Sequence, residues 1–174
     1  VFYILNYIWA FDLSMDDSGI VVFSQQGNPV HITSIKTNDK QSHGKRLKYI
    51  ADKILELREK YPTEIIVIER GFSRFNTATQ VIYKVHGLIS YLFYDCEQIY
   101  YPPKKVKSFI LNGNATKKQI REEIKKKYPN IEFSKTEKKN KKTKEIVIEE
   151  NENESDAFSV GLTYFIDKKI ISFK

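Results

Sequence analysis

The stretch EIIVIE at residues 64–69 constrains the fold more than any other part of the chain. Four consecutive β-branched residues leave such a strand without a polar side, so both its faces must be covered, as at the centre of a sheet flanked by helices. The run at 4–14 has the same apolar character and carries Asp12, in FDLS, near its end. Strands at 19–25 and 30–36 follow the turn-like segments MDDSG and QQGNP, and such short gaps between three strands predict an antiparallel meander.

The remainder alternates. Leu47, Ile50, Ala51, Ile54 and Leu57 recur at helical spacing and predict a helix over 42–60, ended by Tyr61-Pro62. A second helix, over 77–94, spreads Val81, Ile82, Val85, Leu88, Ile89, Leu92 and Phe93 round much of its circumference. One side can cover the sheet while the other calls for a partner, so a homodimer through this helix is expected. A short strand at 97–101 leads to a helix begun by Pro102-Pro103, a break at Asn112-Gly113-Asn114, and a basic helix over 117–127. Residues 133–145 are expected to form a mobile lysine-rich loop, with a short strand at Ile146-Val147-Ile148. A final helix, starting near 153–155, turns Ala157, Phe158, Gly161, Leu162 and Phe165 inward. The order predicts an α/β domain over 1–174: a mixed five-stranded sheet, three antiparallel strands and then alternating helix and strand, with helices on its faces.

Charge is sorted along the chain. Between Lys104 and Lys144 stand fifteen Lys and Arg against four Glu, a net of +11 in a chain whose formal charge is +7. The next stretch, 145–156, holds six acids and no base. The basic block suits phosphate contacts and the acidic one suits a cation or a repelling rim, although a solvated lysine-rich loop would look similar. The single cysteine, Cys96, excludes a disulfide framework and a cysteine-rich zinc site, and fits a reducing cytoplasm. No apolar run reaches the roughly 18 residues of a membrane span, and the first residues lack a basic leader, so a soluble, cytoplasmic protein is expected.

Asp12 and Glu69 each end an apolar strand, where a carboxylate is costly unless solvated or paired. On adjacent strands they would lie close enough to need a cation, and oxygen-only ligation points to Mg²⁺ or Mn²⁺. Singly, each acid could equally cap its strand or pair with Arg70, Arg74 or a lysine. Asp156 opens the last helix, where acids also serve as ordinary caps. Asp16 and Asp17 read as turn residues, and His31, His43 and His86 are scattered.

Four segments in order resemble the motifs of RuvC-like Holliday-junction resolvases, especially the short phage versions. FDLSMDDSG resembles the first, an acid ending strand one before a small-residue turn and Gly. IVIERGF resembles the second, VKSFILNGNATKKQI the third, and ESDAFSVGL the last. The resemblance implies a ribonuclease H-like fold, a homodimer, and hydrolysis of phosphodiesters in branched DNA with two Mg²⁺ or Mn²⁺ ions per site. By motif position it implies metal ligands at Asp12, Glu69 and Asp156, and Lys107 and Lys117 beside the scissile phosphate. It gives Phe72 the part of an aromatic wedge at the branch point, although plain packing would also account for a Phe. Arg74, Lys104, Lys105, Lys118, Lys138, Lys139, Lys141 and Lys142 are the further expected DNA contacts. The sequence departs from the family at Asn153, three residues before the final Asp, where a second acid is usual; Asn153, Glu152 or Glu154 is the fourth donor. A nuclease acting on structured RNA and a non-catalytic junction-binding protein are the alternatives.

Overall fold

The computed structural model describes residues 6–71, 77–139 and 145–173, without the side chains of 77, 78, 138 and 139. Five strands form one sheet in the order β3-β2-β1-β4-β5. They are β1 (Tyr7–Asp12), β2 (Asp17–Phe23), β3 (Pro29–Lys36), β4 (Thr63–Glu69) and β5 (Glu97–Tyr101). The first three pair antiparallel, and β1–β4 and β4–β5 pair parallel, as the alternation of gaps and helices predicts. Residues 1–5, the start of the first predicted strand, lie outside the described residues.

Period-two alternation sorts the sheet into two faces. Trp9, Phe11, Ile20, Val22, Ile66 and Ile68 point to one side. There they pack under α1 (His43–Lys60) and α2 (Thr77–Leu92), with Ile50, Ile54, Val85, Ile89 and Phe93 completing the core. Ile8, Ala10, Val21, Phe23 and Val67 point to the other side, beneath α5 (Glu152–Asp167), with α3 (Pro103–Ile110) and α4 (Lys117–Lys127) beyond it. This is why EIIVIE has no polar face: β4 is central and covered twice.

The helices start where the sequence offers caps. Ser42 accepts from the Lys45 N–H, and Thr116 and Gln119 form a reciprocal capping box on α4. Asn151 caps α5, which therefore begins slightly before the predicted 153–155, so Glu152 and Asn153 belong to its first turn.

One expectation is corrected. The segment read as a mobile loop over 133–145 contains a strand, β6 (Lys135–Lys139), paired antiparallel with β7 (Ile146–Glu150) from Lys135↔Glu150 to Lys139↔Ile146. KTEKK has little intrinsic strand preference, and its β-conformation comes from pairing with the apolar run opposite. Residues 140–144 lie outside the described residues.

Candidate active site

Asp12 and Glu69 end parallel neighbours. Phe11 pairs with Ile68, so one step further the two carboxylates stand side by side at the C-terminal edge of the sheet. Each lies two residues beyond a side chain of the α5-facing core, Ala10 and Val67, so both project into the same layer.

The third carboxylate arrives through a close approach. Gly19 pairs with Asp12 across β1 and β2. A Cβ at Gly19 would lie 2.0 Å from the Asn153 carbonyl oxygen and 2.8 Å from the Glu154 nitrogen. Only a glycine lets the first turn of α5 settle onto the strand at this point, one turn before Asp156. Farther along, a Cβ at Gly161 would meet Phe23 at 2.2 Å, so α5 hugs the sheet over most of its length.

Asp12, Glu69 and Asp156 line a cleft of about 250 Å³ together with Pro103, Val106, Lys107, Lys117, Ile120 and Ser159. Roomier hollows of about 540 and 610 Å³, below the β3 edge and beside the C-terminal turn, gather no two carboxylates. Burial first, then the charges of Asp156 and Glu69, push Asp12 up to about 8. Burial and Asp156 push Glu69 up to about 7, against the opposing pull of Lys117 and Lys107. These are acids crowded together with too little positive charge between them.

Lys117 supplies most of what compensation there is. It sits at the start of α4 and ion-pairs with Asp156, which is 16% exposed. Its amine is raised: burial opposes this, and the charges of Asp156, Asp12 and Glu152 outweigh it. Arg121 and Lys125, four and eight residues on, continue the same face of α4. Arg121 donates to Ser155 Oγ at 3.4 Å, and Lys125 ion-pairs with Glu150. Three basic residues of α4 thus run along the acidic entry to α5.

The donor set fits a hard divalent cation: three carboxylates, no thiol and no imidazole in the cleft. Among the described residues, however, no three acidic, cysteine or histidine side chains are grouped closely enough to enclose an ion.

The contenders for a fourth donor separate. Glu154 is fully buried, its Oε2 accepts from the Ser134 N–H at 2.7 Å at the base of the β6–β7 hairpin, its Oε1 has no hydrogen-bond partner among the described residues, and it does not line the cleft. Asn153 is half-buried and Glu152 acts electrostatically on Lys117; neither lines the cleft. Of the expected DNA contacts, Lys105 ion-pairs with Asp167 at 3.3 Å and lies over the Tyr101 ring, engaged at the far end of α5 from Asp156. Lys104 is exposed, and exposed Lys118 reaches Glu122 at 4.0 Å. Phe72, Arg74, Lys141 and Lys142 lie outside the described residues, as do the side chains of Lys138 and Lys139.

Several supports were not legible as site residues. Asp17, read as a turn residue, opens β2 and accepts from Asn151 Nδ2 at 3.0 Å, tying the α5 cap to the sheet; Ser34 Oγ accepts from the same amide at 3.1 Å. Arg46 is buried at the head of α1, bonds the Met15 carbonyl at 3.0 Å and Thr37 Oγ1 at 2.7 Å, and ion-pairs with Asp16. It fixes the turn between Asp12 and Gly19. The glycine of FDLSMDDSG was the one signal for this close packing.

No family model matches the chain, and no curated protein does. Solved structures do. A structure of Thermus thermophilus RuvC in complex with a Holliday junction substrate superposes with a TM-score of 0.76 at 17% identity, over 95% of this chain and 96% of that one. A second Thermus thermophilus RuvC structure gives 0.71 at 17% identity, over 94% and 97%. Among the described residues no helix is long and apolar enough to cross a membrane. At such identity the likeness speaks for architecture alone, and the architecture is the ribonuclease H-like fold in the form RuvC has it.

Proposed function

We propose that this chain is a divalent-metal-dependent endonuclease that hydrolyses phosphodiesters in branched DNA, four-way junctions foremost. The observation that carries the proposal is the convergence of Asp12, Glu69 and Asp156 with Lys107 and Lys117 in one cleft. The fold is that of a protein whose solved complex holds a Holliday junction substrate.

Two Mg²⁺ or Mn²⁺ ions, when bound, would supply an activated water and steady the leaving 3′-oxygen of an in-line displacement. Asp12, Glu69 and Asp156 would hold them, and because Asp12 and Glu69 have raised proton affinities, those two carboxyls would have to give up their protons to do so. Lys117, which ion-pairs with Asp156, would turn its ammonium to the phosphate. Lys107, from the wall beside Glu69, would add a second positive charge beside the phosphoryl oxygens, where negative charge builds up. The basic block over 104–144, Lys104, Lys118, Lys138, Lys139, Lys141 and Lys142 included, grips backbone, and Phe72 and Arg74 meet the branch.

The enzyme acts as a homodimer through α2. Tyr83, Gly87, Tyr91 and Tyr94 share the outer side of that region, with the three tyrosines 49%, 74% and 81% exposed and open space around Gly87. Tyr91→Arg is expected to convert a dimer to a monomer in light scattering; a wild-type monomer refutes the assignment.

The decisive experiment compares Asp12→Asn and Glu69→Gln with wild type on a labelled four-way junction. Both variants should lose Mn²⁺-dependent cutting and keep junction binding, because they remove carboxylates and leave the basic surface. Wild-type cutting rates in either variant, or faster cutting of a structured RNA than of the junction, would overturn the proposal.

A further inference from the structure

Asp12 and Asp156 reach the cleft from different layers, one on a central strand and the other on the helix packed over it. Carboxylates that share a cleft repel one another. The first turn of a helix is also its least tethered part, because its leading N–H groups have no partner within the helix. The contact at Gly19 limits how close α5 can come to β2, and it does not hold the helix down. Something directional must.

One side chain does this. Asn151, the cap of α5, is 3% exposed, and every polar atom of its amide is bonded. Its Oδ1 accepts from the Glu154 N–H at 3.1 Å, and its Nδ2 donates to Asp17 Oδ2 at 3.0 Å and Ser34 Oγ at 3.1 Å. The first bond is ordinary capping. The other two cross to β2 and β3, and a cap does not need them. Asp17 in turn is tied to the chain just past Asp12. Ser14 Oγ, two residues beyond that carboxylate, accepts from the Asp17 N–H at 3.0 Å and donates to the Asp17 carbonyl at 2.9 Å. Ser18 Oγ closes the turn, donating to the Ser14 carbonyl at 2.6 Å and accepting from the Ser14 N–H at 3.0 Å. An unbroken series of contacts thus joins Asp12 through Ser14 and Asp17 to Asn151, and Asp156 lies about 7 Å further along α5.

We propose that Asp17 and Asn151 are positioning residues, whose side-chain hydrogen bond is a latch that sets the separation of Asp156 from Asp12. Neither residue lines the cleft, so both act through the carboxylates they place. This deepens the reading of the chain as a metal-dependent nuclease and rests on it. The latch needs an acceptor at position 17, not a charge. Asp17 Oδ1 is buried and has no hydrogen-bond partner among the described residues, so the carboxylate engages Asn151 through one oxygen only. An amide offers the same oxygen.

Three variants test this. Asp17→Asn keeps the acceptor and removes the charge, Asp17→Ala removes both, and Asn151→Ser keeps a capping oxygen but is too short to reach Asp17. Each is followed by calorimetric titration with Mn²⁺ alone, by binding to a four-way junction, and by single-turnover cleavage of it, all below the melting temperature. Asp17→Ala and Asn151→Ser should bind Mn²⁺ several-fold more weakly and keep their junction affinity. They should cut about ten- to a hundredfold more slowly, the cost of shifting a reacting group by up to about 1 Å. Asp17→Asn should keep Mn²⁺ affinity and rate within about threefold of wild type, since the acceptor is retained. Wild-type values in Asp17→Ala or in Asn151→Ser overturn the proposal. So does a loss in Asp17→Asn as large as in Asp17→Ala, which gives Asp17 a role through its charge. Neither Asp17 variant alters the cap, so that comparison decides the matter even where Asn151→Ser fails to fold. Wild-type protein that binds Mn²⁺ and cuts no junction removes the functional reading, and the order of Mn²⁺ affinities then still decides the latch.

Discussion

Replacing Asp12 by Asn should stabilise the metal-free protein. In the unfolded chain this carboxyl ionises near 3.8, and in the native cleft only near about 8. Between those values the native state holds a proton that the unfolded state has released. Stability is therefore full below the lower value and drains away as pH rises through the upper one. At 1.36 kcal/mol per pH unit, the cost accumulated by about pH 7 is about 4 kcal/mol. Asn carries no charge to be squeezed, so it escapes that cost while giving up its attraction to Lys117, and a net gain of about 2–3 kcal/mol is expected. For a domain of this size that corresponds to a rise in Tm of roughly 5–10 °C. The assay is thermal unfolding of wild type and Asp12→Asn in EDTA at about pH 7 and again near pH 4, where the difference should nearly vanish. Adding Mg²⁺ should then favour wild type, which gains about 2.7 kcal/mol at a hundredfold excess over its dissociation constant. A variant no more stable than wild type at neutral pH in EDTA would refute the reasoning, because it would show that the Asp12 carboxylate bears no cost from its burial and from the charges of Asp156 and Glu69.

Two further substitutions probe how the site is assembled. Gly19→Ala places a methyl carbon 2.0 Å from the Asn153 carbonyl oxygen, so α5 must lift. Overpacking of this kind costs about 1–3 kcal/mol. A displacement of Asp156 by about 1 Å should slow single-turnover junction cleavage about a hundredfold, and an Ala variant that cuts at full speed would show the contact to be irrelevant to the site. Lys117→Met removes the ammonium that competes for Asp156. Calorimetric titration should find Mn²⁺ binding tightened, by up to about fivefold, the value of a half-exposed ion pair of about 0.2–1 kcal/mol, while cleavage falls; weaker Mn²⁺ binding would mean the lysine assists the ion instead of standing in for it.

The parts of this site that could be read in the sequence are those in which local pattern and tertiary role coincide. Asp12 and Glu69 stand at the ends of apolar runs, and a buried strand that ends in an acid is conspicuous wherever it folds. What stayed hidden depends on partners far along the chain. Lys105 looks like any lysine in a basic block until Asp167 meets it from the end of α5. Asp17 looks like turn chemistry until Asn151, 134 residues later, lays its amide on it. Lys135–Lys139 looks like a loop because its own residues are charged, and β7 makes it a strand.

Glu154 shows most clearly why counting acids could not identify a fourth donor. Glu152, Asn153 and Glu154 are consecutive on a helix, so their side chains leave it about 100° apart, and Asp156 falls near the directions of 152 and 153. The sheet beneath decides which direction is which. Gly19 presses the backbone of Asn153 onto β2, and that contact turns Glu154 toward the hairpin base, where the Ser134 N–H holds it. Glu152 is left on the side of Lys117, whose amine it helps to raise. The same glycine that admits Asp156 to the cleft thus commits Glu154 to the hairpin. A ligand set on a helix is fixed by the strand it rests on as much as by its own spacing.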